Sequence, residues 1–482
     1  MDKNKKIKML CWMDSPVVST GFGSVAKGIF DKLAKTGKYD IDIIGINDKG
    51  GWKDPEKYPY RIYPAKTGVE IQGDYFGRPR MISTILGKDP EIIPPWDIIF
   101  VLNDPFILAE DLPAFNKGTL HIMKEAQDQF VEKLPPKYHF KTVYYIPIDS
   151  PIRGNWIENA VALADYPVAY TQYGKKEIET ADNILSKPTN VSKRTDVIYH
   201  GVDMDIFKPI EAKEKKEFRD KFFKGVVYDH TFVVTVVARN QMRKDIPRTM
   251  AIFKEFQRRR PDSFLYLHCQ SQDVWGNLQE YARNWNLIFG KDWGVPAKFN
   301  ANSGFSINTL NKIYNASDVI ISTSLGEGWG FYNSEAFATK TAVLAPNNTV
   351  HPEILGYSDS DDISDMDKLF DSGIRGIPYK AGSTLSEWAT FGPDDLERVR
   401  PLGNVEDAVK KLVWIYDNPD KVSIIKDRAY EWIKKYTWDE VAKKWDKLFT
   451  DVYNQLEIER KKSLQKVALK ASNKEFIKKT SK

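Results

Sequence analysis

Apolar residues in the first half of the chain gather into short, nearly unbroken runs of strand length: KIKMLCWM, YDIDIIGI, WDIIFVLND, KTVYYIPID, YPVAYTQYGKKEI and DVIYHGVD. Between the first two, GSVAKGIFDKLAKTG has helical spacing and a glycine stop, so a strand, helix, strand unit opens the chain. Continued alternation of this kind predicts a mostly parallel sheet with helices on both faces. A second alternation follows FKPIEAKEKKEFRDKFF. It runs through HTFVVTVVARN, a helix from about Pro247 to Arg260, SFLYLHCQ, INTLNKIYNAS, DVIISTS, a helix beginning near Tyr332, and TAVLAP. The pattern predicts two doubly wound α/β domains facing a cleft, with the boundary between residues 205 and 225 and ligands beyond the carboxyl ends of the strands. The expected units are residues 1–210, residues 225–425, crossing helices over 426–459 and a tail over 460–482. Residues 357–403 have no sustained periodicity and read as an elaborated loop region on the second domain. Their acids Asp359, Asp361, Asp362 and Asp365 lack the glycine and terminal glutamate of a calcium loop, so a solvated acidic loop is expected.

Length and composition fit this division. At 482 residues the chain exceeds one ordinary core, and 42% hydrophobic with 28% charged residues describes a globular protein. Cys11 and Cys269 each sit in an apolar run, which supports neither a disulfide framework nor a cysteine metal site and suggests a reducing compartment. The first residues carry too short an apolar run for a signal peptide, and no segment is apolar enough to cross a membrane, so a cytoplasmic location is expected. Net charge is +5, but nine of the 71 basic and one of the 66 acidic residues lie from Arg460 onward, giving that tail +8 and the remainder −3. Lys462, Lys466, Lys470, Lys474 and Lys478 recur every four residues, the signature of a basic amphipathic helix. A solvated helix laid on its own domain, a nucleic-acid contact and an anionic membrane contact are the readings open for it.

Four stretches lie just past predicted strands. In SPVVSTGFGSVAKGIF, Gly21, Phe22 and Gly23 join a strand to a helix, where backbone N–H groups can meet a phosphate or sugar oxygen, although a tight turn needs the same glycines. In VVARNQMRKDIP, Arg239 and Lys244 follow an apolar strand and could converge on a diphosphate, or be surface cations. VIYHGVDMDIFKP reads as the turn closing the first domain. In SLGEGWGFYNSEAFATKTAVLAP, glycines flank Glu327, and a helix from near Asn333 places Glu335 in its first turn. A carboxylate can accept from both hydroxyls of a diol, so two of them suit a ribose and a hexose, whereas Glu335 could also only complement a helix dipole.

Here the sequence resembles a known family. EGWGFYNSEA is similar to the glutamate, seven residues, glutamate signature of retaining glycosyltransferases of family-4 type, which have the two-domain GT-B architecture. ARNQMRK resembles that family's arginine and lysine five apart, HGVDMDIFKP its interdomain turn, and YTWDEVAKKW the C-terminal helix that crosses back to the first domain. The likeness is specific from about residue 190 to 450 and looser before it. It implies that Glu335 binds the donor's ribose and Glu327 the transferred sugar, helped by N–H groups in the Gly328, Trp329, Gly330, Phe331 segment. It implies that Arg239 and Lys244 neutralise the diphosphate and that Gly21, Phe22 and Gly23 close on the donor from the first domain. No metal or other cofactor is implied; the donor is a nucleoside diphosphate sugar, a UDP-sugar first. The family often places a histidine after the strand in IIFVLNDPF or in YYIPIDSP, and this chain has none there. Asp149, Asn103 and Asp104 are the polar groups left at those strand ends, expected to hold the acceptor or a sugar hydroxyl, with helix capping the competing reading.

The expected activity is therefore transfer of a hexose or pentose to an acceptor hydroxyl, Glu327, Arg239, Lys244 and Asp149 carrying the chemistry. DSPVVSTGFGSV also resembles bacteriophage glycosyltransferases, some of which modify DNA. A hydroxymethylated pyrimidine in DNA, reached with the basic tail, thus stands narrowly ahead of a lipid-linked or glycan acceptor at a membrane surface. A non-catalytic sugar-nucleotide-binding protein is the alternative from another class.

Overall fold

The computed structural model describes residues 5–66, 74–296, 305–358, 360–391, 395–396 and 398–480, with side chains in the terminal helix as far as Lys466 and at Ala468. The first domain is built on seven parallel strands: β1 (Ile7–Asp14), β2 (Tyr39–Ile46), β3 (Arg61–Pro64), β4 (Ile98–Leu102), β5 (Lys141–Ile146), β6 (Tyr166–Ala169) and β7 (Asp196–Val197). Their order is β3-β2-β1-β4-β5-β6-β7. The chain reverses its direction of progress between β1 and β4, which opens a crevice at the carboxyl ends of β1, β4 and β5. Strand β1 shows why the apolar runs are unbroken. Ile7, Met9, Cys11 and Met13 enter one core while Leu10 and Trp12 enter another on the opposite face, so beyond the exposed Lys8 both faces of the strand are covered. Helix α1 (Gly21–Lys35) covers the first of these faces and helix α2 (Gln172–Asn183) follows β6.

The second domain has six parallel strands, β8 (Phe232–Val237), β9 (Ser263–His268), β10 (Trp293–Gly294), β11 (Val319–Ile321), β12 (Ala342–Pro346) and β13 (Ile377–Tyr379), in the order β10-β9-β8-β11-β12-β13. Helices α3 (Ile246–Arg259), α4 (Ile307–Ala316), α5 (Phe331–Ala338), α6 (Val405–Asp417) and α7 (Pro419–Ile433) accompany it. Two doubly wound α/β domains therefore face each other, as the alternation of runs predicts.

Residues 357–403 depart from the expected loop. They supply the short helix Met366–Ser372, the edge strand β13, and a hairpin pairing Trp388–Thr390 with Val399–Pro401. Three-residue strands are too short to show a period, which is why they were invisible in the sequence. Asp361 and Asp365 accept from the backbone at Ser358 and Lys368, the latter as a helix cap, while Asp359 lies outside the described residues. Among the described residues no group of His, Cys, Asp or Glu is arranged to hold a metal.

The final helix, α8 (Trp438–Thr480), returns to the first domain. The two crossings between domains lie side by side, with Val202 N donating to Tyr436 O at 2.9 Å and Trp438 N to Val202 O at 3.2 Å. Gly28 of α1 makes room for Trp438, since a Cβ there would lie 2.3 Å from the indole ring. Further along, Trp445 and Phe449 meet the edge of Phe100 from β4 at centroid distances of 5.4 and 5.9 Å. Arg460 ends this contact: buried, it binds Asp97 at 2.6 Å and the carbonyl of His139. The helix continues past it, but the side chains of Lys470, Lys474 and Lys478 lie outside the described ones. Among the described residues no helix is long and apolar enough to cross a membrane.

Candidate active site

The carboxyl ends of β1, β4 and β5 face those of β8 and β11, and the predicted stretches sit on the loops between them. After β1, Thr20 caps α1 by accepting from Gly23 N at 3.0 Å and itself donates to Asp14. A Cβ at Gly21 would sit 3.7 Å from the ring of Phe331 in the other domain, an ordinary van der Waals contact. After β11 the loop with Glu327 rests directly on the first domain. A Cβ on Gly326 would lie 2.1 Å from the carbonyl oxygen of Asp149, so only glycine permits that approach. Gly330, with φ of 73°, then opens α5. The helix starts two residues earlier than expected, which moves Glu335 from the first turn to the second.

Glu327 is buried and accepts from both neighbouring cations, Lys244 Nζ at its Oε1 and Arg243 Nη1 at its Oε2 at 3.1 Å. Burial would raise its pKa, but Lys244 and Arg243 outweigh that and hold it well below the usual carboxylate range. Lys244 is lowered by burial and by Arg243, against the pull of Glu327. Glu335 is in the opposite situation. Its one described partner is the hydroxyl of Tyr314 at 2.6 Å, and burial pushes it up to about 7 against that hydrogen bond.

Arg239 does not join Lys244. It turns outward to Asp273 on the hairpin Gln272–Asn277, with Nε and Nη2 at 2.9 and 3.1 Å from the two carboxylate oxygens. Trp329 and Phe331 are likewise turned to the domain interface: Trp329 lies against Tyr199 and His200, and Phe331 stacks on His200 with the rings 4° from parallel. Burial holds His200 down to about 3, so it is neutral there.

On the first domain, Asp149 follows β5 and is gripped by three arginines of the second. Arg243 Nε is 3.1 Å from Oδ2, Arg398 Nη1 is 3.2 Å from Oδ1, and Arg400 Nη1 donates to the Asp149 carbonyl at 3.1 Å. Burial opposes ionisation, yet Arg243, Arg400 and Arg398 keep its pKa below the usual value. Asp104 precedes the short helix Pro105–Ala109 without capping it. Burial and the charge of Asp149 raise it to about 7, against Arg398 and Arg243. Asn103 is buried, receives the Tyr144 hydroxyl at its carbonyl, and leaves its Nδ2 without a described partner. Asp104, Asp149, Ser150, Trp156 and Arg398 line a small indentation at this boundary.

Sequence reasoning missed Arg243, Arg398, Arg400 and Tyr314. Arg243 stands beside Lys244 within ARNQMRK and carried no signal to choose it over Arg239; the other two arginines fall in the segment without periodicity.

Two parallel α/β domains, carboxyl ends apposed, with the last helix recrossing to the first, decide the architecture. The fold is GT-B. Solved structures agree along nearly the whole chain. Anabaena HepE, solved in complex with UDP-glucose, is 14% identical with a TM-score of 0.62, over 92% of this chain and 100% of that one. Sucrose-phosphate synthase from Thermosynechococcus elongatus is 13% identical with a TM-score of 0.64, over 94% and 100%. The lipopolysaccharide outer core galactosyltransferase WaaB is 14% identical with a TM-score of 0.54, over 92% and 99%. No protein-family model matches the chain, and no curated protein matches it by sequence.

Proposed function

We propose that the protein is a retaining glycosyltransferase that moves a hexose or pentose from a nucleoside diphosphate sugar, a UDP-sugar first, to an acceptor hydroxyl. The observation that carries this reading is the buried Glu327, held between Lys244 and Arg243 and facing Asp149 across the domain boundary. Cations and a carboxylate at one point of a GT-B cleft suit a substrate that is anionic at the diphosphate and hydroxylated at the sugar. In the proposed reaction the bond from the sugar's anomeric carbon to the phosphate oxygen breaks. The acceptor oxygen bonds to that carbon on the same face, and its proton passes to the departing phosphate. Lys244 and Arg239 stabilise the charge that develops on the diphosphate, Arg239 after exchanging Asp273 for phosphate. Glu335 accepts from the ribose diol, Glu327 from the sugar, and backbone N–H groups around Gly330 orient the donor. The acceptor hydroxyl is received on the first domain beside Asp104 and Asp149, at the ends of β4 and β5.

As acceptor we place a hydroxymethylated pyrimidine in DNA ahead of a lipid-linked or glycan hydroxyl. The support is the basic tail, in which α8 continues past its anchor at Arg460. The deciding measurement is release of nucleoside diphosphate from a panel of nucleotide sugars, with and without DNA carrying 5-hydroxymethylpyrimidines. Glu335→Ala should abolish release by the active donor. Release that DNA leaves unchanged would remove DNA as acceptor, and no release from any donor, with nucleotide still bound, would mark a binding protein.

A further inference from the structure

Arg243 touches charged groups on both walls of the cleft. It stands on the single turn Met242–Lys244 after β8. Its Nη1 donates to Glu327 and to the carbonyl of Gly326, and its Nε reaches Asp149 on the other domain. Its own carbonyl receives Leu325 N at 2.7 Å, so the residue is tied by backbone to the loop that carries Glu327. Its guanidinium is largely covered, with 23% of the side chain exposed, whereas Arg239 is 55% exposed and engaged with Asp273. Asp149 does not depend on it, because Arg398 and Arg400 contact the same residue from the neighbouring hairpin. One of three cations can therefore leave Asp149 without leaving its charge unpaired, and Arg243 is the one that adjoins Lys244.

Resting on the glycosyltransferase reading above, we propose that Arg243 is a further catalytic residue. In this structure it is shared by Glu327 and Asp149, and it turns to the diphosphate when donor binds, so that Arg243 and Lys244 are the principal cations of the leaving group. Asp149 is then its competitor as well as part of the acceptor side of the cleft. A carboxylate on the opposite domain thus opposes nucleotide binding through one guanidinium, and donor binding relaxes the grip on Asp149 just where the acceptor is to be received.

The test is UDP binding by calorimetry on the full chain, with melting temperatures to verify folding. Arg243→Gln should weaken UDP by roughly 10- to 100-fold, the loss of a hydrogen-bonded charge, and Arg239→Gln by less. Asp149→Asn is the decisive arm. It should tighten UDP by about 5-fold or more by freeing the guanidinium, and this gain should vanish in the Arg243→Gln background. A merely structural Arg243 would lose stability but show no such coupling. An unchanged or weaker affinity in Asp149→Asn, or a gain that persists without Arg243, would overturn the proposal. Lys244→Ala separates the two readings: if it too leaves UDP binding intact, the donor-site assignment fails, whereas its loss beside an unaffected Arg243→Gln sinks only this inference.

Discussion

Glu327 and Glu335 are the same residue type eight positions apart, and their surroundings drive them in opposite directions. Two cations hold the first ionised; the second is half-buried with a tyrosine hydroxyl as its described partner and is pushed up to about 7. A carboxyl whose pKa is raised on folding contributes stability below its unfolded value, near 4.5, and that contribution is lost as pH rises through 7. Glu335→Gln keeps an acceptor for Tyr314 and removes the charge. It should therefore stabilise the nucleotide-free protein at pH 8 by roughly 1 to 3 kcal/mol, with the gain fading toward pH 4.5. The same substitution should weaken nucleotide binding, because an amide accepts poorly from two hydroxyls. Melting curves at the two pH values, with and without UDP, check both halves. Equal gains at pH 8 and pH 4.5 would mean that Glu335 does not titrate between them.

Elements meet across the domain boundary through small, specific contacts. Glu353 of the short helix His351–Leu355 accepts from Gln172 N and Tyr173 N, both at 3.0 Å, and so caps α2 of the other domain. The docking of α8 depends on Gly28, where any side chain would collide with Trp438. Gly28→Ala should cost about 1 to 3 kcal/mol, an overpacking penalty, even though alanine favours an isolated helix. Chemical denaturation measures it, and a stabilised variant would show that α8 can shift off α1 at no cost. Strand β13 teaches a related lesson. Its three residues have no period of their own, and it is a strand because β12 offers a free edge.

At the scale of the molecule, α8 performs two separable tasks. Up to Arg460 it is bound to the first domain, and beyond it the segment is the most basic part of the chain. A chain ending at Lys461 should keep its melting temperature and UDP affinity, since Arg460 and Asp97 remain. If DNA is the acceptor, loss of the seven lysines from Lys462 onward should weaken DNA binding and flatten its salt dependence by up to roughly 6 in log–log slope. Fluorescence anisotropy over a salt series measures this, and an unchanged slope would exclude the tail from any DNA contact.

Much of the architecture was legible in one dimension. Strands covered on both faces must be apolar at every position, and helices between them must repeat every three to four residues, so two parallel α/β domains could be read from pattern alone. The same local rules marked the loop around Glu327 and the helix bearing Glu335, because glycines and helix starts are local features. Which charges meet is not local. Arg239 and Lys244 look equivalent along the chain, yet one faces Asp273 on an outer hairpin and the other faces Glu327. Arg243, Arg398 and Arg400 converge on Asp149 only because two domains bring distant segments within a few ångströms. Patterning determined the elements, since burial is periodic along each of them. The tertiary structure alone decided the pairing of charges, since Coulomb interactions depend on distance through space and not on separation along the chain.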